Sequence, residues 1–187
     1  MLSVLMPNSN EPFIKDVIRN IESSIPATEI IIANDRDRNG KGWAMREALS
    51  QAGGSRIVFL DGDMDIEPRM IKRLLPFLCD YDIVLGSKNM RNAPLHRKII
   101  THLSRLYIRI LFGIPWDTQT GLKLFRRDAL VGWDTDDFAF TLEIIRLAVK
   151  RKLKIIEVPI EASITASMSW KAVWRTFISS LKIRFLM

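Results

Sequence analysis

Short apolar runs alternate along this chain with stretches of helical periodicity. Leu2 to Met6 is an apolar run that stops at Pro7 and predicts a first strand. Asn8 to Pro12 carries turn chemistry and a helix start, with Asn10 as N-cap and Pro12 in the first turn. Ile14, Val17, Ile18 and Ile21 then recur at i, i+3, i+4 and i+7, one apolar helix face that Pro26 brings to an end. Glu29 to Ala33 is the β-branched run of a buried parallel strand. A polar, Gly-bearing loop over 34–42 leads to a helix from Trp43 to Ser50 and a third strand from Arg56 to Leu60, which stops at Asp61. Pro68 opens a helix with Ile71, Leu74, Leu75 and Leu78 inward, and Asp82 to Gly86 predicts a fourth strand. A long basic helix over 94–112, a short strand over 122–125, a helix over 138–151, a strand over 154–159 and a last helix over 170–186 complete the pattern. Strands alternating with helices predict the α/β class: a mainly parallel sheet with helices on both faces. There is no repeat, low-complexity tract or linker, so one domain over 1–187 is expected, with 166–187 a C-terminal amphipathic helix.

Composition narrows this further. With 187 residues, 48% hydrophobic and 26% charged, the chain has material for a packed core and is neither disordered nor fibrous. Its single cysteine, Cys79, has no partner for an internal disulfide and is expected to pack as a small hydrophobe, which fits a reducing, intracellular setting. No apolar run reaches the roughly 18–20 residues that span a bilayer. The first residues lack a basic leader, so export is not expected.

Charge is unevenly placed. Between Lys88 and Arg127 nine Lys or Arg residues face one acid, Asp117, within a net charge of +7. Such a segment fits an anionic partner (phosphate, membrane surface or nucleic acid) or a solvated helix face. No aromatic-basic interleaving accompanies it, so a nucleic-acid partner is not expected. The last helix has two readings. Trp170, Val173, Trp174, Phe177, Ile178, Leu181 and Phe185 fall opposite Lys171, Arg175 and Lys182. Core packing is the commoner use of such a stripe, and a helix lying in a lipid interface is the other.

The candidate chemistry lies after the third strand, at Asp61-Gly-Asp-Met-Asp65. Ligands of open α/β sheets bind beyond the carboxyl ends of the strands. In an extended segment, alternating acids put the three carboxylates on one side. Close carboxylates repel unless a cation neutralises them, and Mg²⁺ or Mn²⁺ suits one or two carboxylates together with diphosphate oxygens. The alternative is an acidic turn in which Asp65 or Glu67 caps the helix at Pro68.

Five ordered segments give the cluster its context. Ser3-Val-Leu-Met-Pro-Asn-Ser-Asn-Glu11 looks like an opening strand and P-x-Y-N-E loop, and Asn39-Gly-Lys-Gly-Trp-Ala-Met-Arg-Glu-Ala-Leu49 resembles N-x-G-K-G-x-A-x-R-x-A-L. Val58-Phe-Leu-Asp-Gly-Asp-Met-Asp65 matches a D-x-D strand, and Asp82-Ile-Val-Leu-Gly-Ser-Lys88 matches D-V-V-x-G-S-R. Asp117-Thr-Gln-Thr-Gly-Leu-Lys-Leu-Phe-Arg-Arg127 matches D-x-x-[ST]-G-F-[RK]-L-[FY]-R-R. Together they resemble glycosyltransferase family 2, in its dolichol-phosphate mannose synthase and polyprenyl-phosphate glycosyltransferase branch.

The resemblance implies a GT-A fold and transfer of a hexose, mannose or glucose, from a GDP- or UDP-linked sugar to a polyprenyl (dolichyl-type) phosphate. A glycan, glycolipid or protein acceptor is the alternative, as is a non-catalytic binding module. Pro7, Asn10, Glu11, Asp35, Lys41 and Asp61 are carried over as nucleotide-sugar contacts. Asp63 and Asp65 are carried over as ligands of Mg²⁺ or Mn²⁺. The catalytic set is Asp63, Asp65, Lys88 and Arg97, with Lys88, Arg97 and Lys123 on the acceptor phosphate. Lys41 has an alternative as a solvated loop lysine; Gly121 allows close backbone approach or marks a plain tight turn; and Glu143 is either a carboxylate supporting the site or a helix-surface charge. Implied partners are an anionic membrane surface and a membrane protein or second copy, and the implied location is the cytoplasmic face of a membrane.

Three departures stand out. Ser9 replaces the Tyr of the opening loop. Only seven residues separate Ala33 from Lys41, where the family carries a longer D-D-G-S-x-D segment, a helix and another strand. Ile164, Ser167 and Trp170 stand at the Arg, Gly and Lys positions of an R-x-x-G-x-S-K stretch. The nucleotide-binding wall is therefore expected to be abridged.

Overall fold

The structure is a computed structural model and describes residues 1–8, 14–25, 28–35, 39–63, 65–90, 93–130, 132–162 and 170–186. Six strands form one sheet: β1 (Leu2–Asn8), β2 (Thr28–Asn34), β3 (Arg56–Leu60), β4 (Ile83–Lys88), β5 (Leu122–Arg126) and β6 (Ile155–Ile160). Their order is β2-β1-β3-β5-β4-β6. β1 is parallel to β2 and β3, and β4 to β6, while β5 runs antiparallel between β3 and β4. That one reversal positions the site. It sets Leu122, at the start of β5, opposite Leu60, and the Asp61 N–H donates to the Gly121 carbonyl at 3.1 Å.

Period-two alternation sends Ile57 and Phe59 to one face and Val58 and Leu60 to the other. On the first face, α2 (Lys41–Gln51) and α5 (Phe140–Lys150) pack with Ile108 of α4 (Leu95–Phe112) and Ile183 of α6 (Trp170–Leu186) around Phe59, Phe125, Trp133 and Phe140. The second face is covered by α1 (Ile14–Ser24) through Val17 and Ile21 and by α3 (Met70–Leu74) through Ile71 and Leu74. The fold class predicted from the alternation is therefore the one observed, and among the described residues β2 is one edge of the sheet and β6 the other.

The structure corrects four expectations. The helix predicted from Pro68 divides into α3 and a 3-10 turn over Leu75–Cys79, because Pro76 has no N–H for an α-helical bond. The tighter winding rotates Cys79 to the surface, so it does not pack. The acidic segment after β3 is not extended: Gly62 and Asp63 form a turn and Asp65 a bend. Finally, α6 does not bury its aromatic stripe. Trp174 is 65% and Phe185 74% exposed, whereas Ser179, Ser180 and Ile183 are buried. No described helix is long and apolar enough to cross a membrane.

Candidate active site

Asp61 is where the buried run of β3 meets the loops, and its Oδ1 receives the Lys41 ammonium at 2.6 Å. Lys41 is the first residue of α2 and also lies 5.6 Å from the centre of the Phe138 ring, so it is not a solvated loop lysine. Asp35, at the carboxyl end of β2, fixes the approach to α2. Its two carboxylate oxygens accept the Asn39 and Gly40 N–H groups at 2.6 and 2.7 Å. The glycines on either side of Lys41 are required by close approach. A Cβ on Gly40, whose φ is +119°, would collide with the Asp136 carbonyl, and one on Gly42 with the Thr135 carbonyl. Buried Glu143 holds that loop by accepting the N–H groups of Asp134 and Thr135 at 3.0 and 2.9 Å. Glu143 is thus no surface charge; it steadies the segment against which Lys41 is set.

The acids that follow are each engaged. Asp63 accepts the Asp65 N–H at 3.1 Å, and Asp65, 6% exposed, is 3.3 Å from the Lys88 ammonium at the end of β4. Burial pushes the Asp61 carboxyl up, but the neighbouring Lys41, with Lys123 and Lys88 behind it, outweighs this and holds it below the ordinary aspartate value. Asp63 goes the other way. Burial and the negative charges of Asp61 and Asp65 raise it, against the opposing Asp65 N–H and Lys88. A carboxylate crowded by like charges is a place where added positive charge is favoured, so Asp63 and Asp65 fit a divalent cation shared with phosphate oxygens. Among the described residues no cluster of three or more His, Cys, Asp or Glu side chains could hold a metal by itself. Gly121 has a specific reason too: a Cβ there would run into the Asp61 carboxylate.

Two adjoining cavities open beside these residues. The larger, about 520 Å³, has Pro7, Lys41, Asp61 and Lys123 among its polar and backbone boundaries, and α4, α5 and α6 form its apolar walls. Lys123 is 4% exposed and donates to the Thr120 carbonyl. Burial lowers its ammonium to about 8, although Asp61 opposes the shift. The smaller cavity, about 190 Å³, is lined by Lys88, Arg97 and Arg105 together with Thr101, Ser104 and Asp117. Arg105 donates to Asp117 at 2.8 Å and to Ser87 at 3.3 Å and is 3.7 Å from Glu157. Burial opposes the Arg105 charge, but Asp117 and Glu157 outweigh it and raise its pKa. Burial likewise raises Asp117, and Arg105 with the Gln119 N–H more than reverses it.

The structure therefore brings Pro7, Lys41 and Asp61 to one cavity and Lys88 and Arg97 to its neighbour. Lys123 sits in the larger cavity, apart from Arg97. Asn10, Glu11 and Ser9 lie outside the described residues, as do Ile164 and Ser167. Arg105 was not singled out by sequence. Its signal was there: Arg97, Thr101 and Arg105 recur every four residues, one side of a helix.

Comparison with known proteins gives the family and the fold. Residues 35–146, more than half of the chain, match the model of glycosyl transferase family 2. The chain is similar to an undecaprenyl-phosphate mannosyltransferase of Micrococcus luteus, 25% identical over 179 residues that cover 75% of this chain and 74% of the relative. It is also similar to a dolichyl-phosphate beta-glucosyltransferase of Trichomonas vaginalis, 28% identical over 72% of this chain but only 46% of that protein. Among solved structures it resembles glucosyl-3-phosphoglycerate synthase of Mycobacterium tuberculosis in complex with Mn²⁺, UDP-glucose and phosphoglyceric acid. There the TM-score is 0.79 at 17% identity, over 98% of this chain and 79% of that one. The same enzyme with Mg²⁺ and UDP gives 0.79 at 15% identity. The strand order, the acids beyond β3 and the matched segment together place this chain in glycosyl transferase family 2, with a GT-A fold.

Proposed function

We propose that the protein transfers a hexose from a nucleotide-diphosphate sugar to a polyprenyl phosphate, with a divalent metal, at a membrane surface. The observation that carries this reading is the electrostatics of the two cavities. Among the described residues lining them, the only acids are Asp61 and Asp117, and each is held by a cation, Lys41 or Arg105. A hydroxyl acceptor needs a base within reach of its proton. A phosphate acceptor is already an anion and needs positioning and charge stabilisation instead.

In this reading Pro7, Asp35, Lys41 and Asp61 border the donor, and Asp63 and Asp65 hold the metal. When bound, Mg²⁺ or Mn²⁺ neutralises charge on the departing diphosphate. Lys88, Arg97 and Arg105 receive the acceptor phosphate in the smaller cavity. One of its oxygens attacks the anomeric carbon of the sugar, the bond from that carbon to the diphosphate breaks, and the nucleoside diphosphate leaves with the electron pair. No proton has to move. Lys123, on the floor beside Asp61, supplies charge where the phosphates meet.

Titration calorimetry with GDP and UDP, with and without Mn²⁺, tests the donor half. The reading expects one nucleotide to bind and Mn²⁺ to strengthen it about tenfold or more. Equal binding without metal, or no binding of either nucleotide, would remove the basis for a metal-dependent transferase.

A further inference from the structure

The two edges of the sheet are built differently. At one of them β6 is guarded. Ile160 turns its carbonyl to the Asn89 N–H, so Pro159, one residue earlier, directs its backbone outward, where it has no N–H to offer a further strand. At the other edge β2 has no such device. Its seven pairs with β1, from Leu2 with Thr28 to Asn8 with Asn34, run without a bulge, and it contains no Pro, Lys or Arg. Among the described residues no strand pairs with its outer side. A long, regular, apolar edge is a template for another strand.

The side chains of β2 show the same incompleteness. In β3, which has a strand on each side, Ile57 through Leu60 are all buried. In β2, Ile30, Ile31 and Ile32 are only half-buried. Period two sends Ile31 to the core layer that holds Phe59, and Ile30 and Ile32 to the layer that holds Val58 and Leu60. Both apolar layers therefore end open at this edge.

We infer that β2 is a homodimerisation edge, at which the β2 strands of two copies pair antiparallel about a two-fold axis and continue the sheet. The edge complements itself. With Ile31 on the axis, Ile30 faces Ile32 of the second copy, and each apolar layer meets its own counterpart. The charge on β2 does not oppose the pairing. Glu29 faces Ala33, so the two Glu29 residues stand four positions apart on the ladder, about 13 Å, beyond the screening length at physiological salt. Each Glu29 carboxylate also accepts from Ser3 and the Gly53 N–H of its own chain. Because β6 is closed to pairing, β2 cannot seat on the β6 of another copy and run on into a filament, which leaves the closed pair. Its axis is perpendicular to the sheet, so the layer of α2, α4, α5 and α6 lies on the same side in both copies. No residue bordering either cavity lies on β2, so the dimer does not depend on the proposed reaction.

Sedimentation velocity of the full chain over about 1 to 100 µM is the test, and a species of twice the 21.5 kDa chain mass should grow with concentration. Ile31→Lys and Ile31→Glu each place two like charges on the axis and should weaken the dimer about tenfold or more. At an edge the charged tip reaches water, so circular dichroism and nucleotide binding should stay as in the parent. Mixed in equal amounts, the two variants should recover a dimer, because unlike charges then meet on the axis. A parent that stays monomeric at the highest concentration, a dimer that neither variant weakens, or variants that lose the dimer and do not recover it on mixing would each overturn the inference. Failure of the transferase reading shows separately, in the calorimetry.

Discussion

Lys123 offers a direct way to ask whether the site is built at the expense of stability. The side chain lies in the middle of the sheet, opposite Phe59 of β3 and Leu85 of β4, and is 4% exposed. Its ammonium titrates at about 8 instead of 10.5. At pH 7 it is charged in both folded and unfolded chains, and the folded state bears the difference. At 1.36 kcal/mol per pH unit, a shift from 10.5 to about 8 costs roughly 3 kcal/mol. The sign follows from proton counting. Between about pH 8 and 10.5 the unfolded chain binds more protons at this residue, so its contribution to stability rises with pH across that window and is constant below it. Lys123→Met keeps the length of the side chain and removes the charge. It should stabilise the protein at pH 7 by on the order of 1–3 kcal/mol, less than the full figure because the bond to the Thr120 carbonyl and the partnership with Asp61 are lost. Urea denaturation of both proteins from pH 7 to 10.5 is the assay, and the difference between them isolates Lys123 from other titrating groups. That difference should shrink as pH rises through 8 to 10.5, while sugar transfer by the variant falls. A variant less stable than the parent at pH 7, or a difference that does not change with pH, would refute the reasoning.

Three further outcomes follow from the same geometry. Asp63→Ala should abolish transfer in a radiolabelled-sugar assay while leaving the thermal transition in place, since Asp63 is a half-buried turn residue outside both core clusters; unchanged turnover would remove it from the metal site. Asp117→Asn breaks the pair with Arg105, and should cost about 1–2 kcal/mol by urea denaturation at pH 7, less than a fully buried pair because Arg105 is 37% exposed and keeps Glu157 at 3.7 Å. Because Asp117 is held below the ordinary value of 3.8, its contribution is present above that value and lost as pH falls through the lower folded-state value, so the parent-to-variant difference should diminish in acid. Gly42→Ala forces a methyl group onto the Thr135 carbonyl. It should destabilise by about 1–3 kcal/mol and weaken donor binding, because Lys41 moves with the start of α2. Calorimetric titration of the nucleotide into parent and variant checks this, and unchanged affinity in the variant would detach the start of α2 from donor binding.

How far the sequence could be read depended on the scale of the interaction. Each strand was legible because a run such as Arg56 to Leu60 needs only its own composition, and each helix because Val17 and Ile21 fall on one face. The Lys41–Asp61 pair was not legible. It depends on β3 and the start of α2 being brought together by the parallel pairing of β1 with β2 and β3. The acidic segment was misjudged as extended because alternation reads the same in a turn, and Gly62 permits the turn. Cys79 was misplaced by a proline three residues earlier, which changed the helical pitch. The stripe on α4 was visible as periodicity, yet periodicity does not say which way a helix faces. Only the exposure of Leu95, Ile99 and Ile110 does.

The central claim is that two cavities beyond β3 and β4 pass a sugar from a nucleotide to a lipid phosphate. Its most direct test is incubation of the full chain with radiolabelled GDP-mannose, UDP-glucose and related donors, Mn²⁺, and vesicles containing a polyprenyl phosphate. The account predicts label in the lipid fraction from at least one donor, dependent on Mn²⁺ and lost in Arg97→Met. No lipid-linked label from any donor, with nucleotide binding intact, would contradict it.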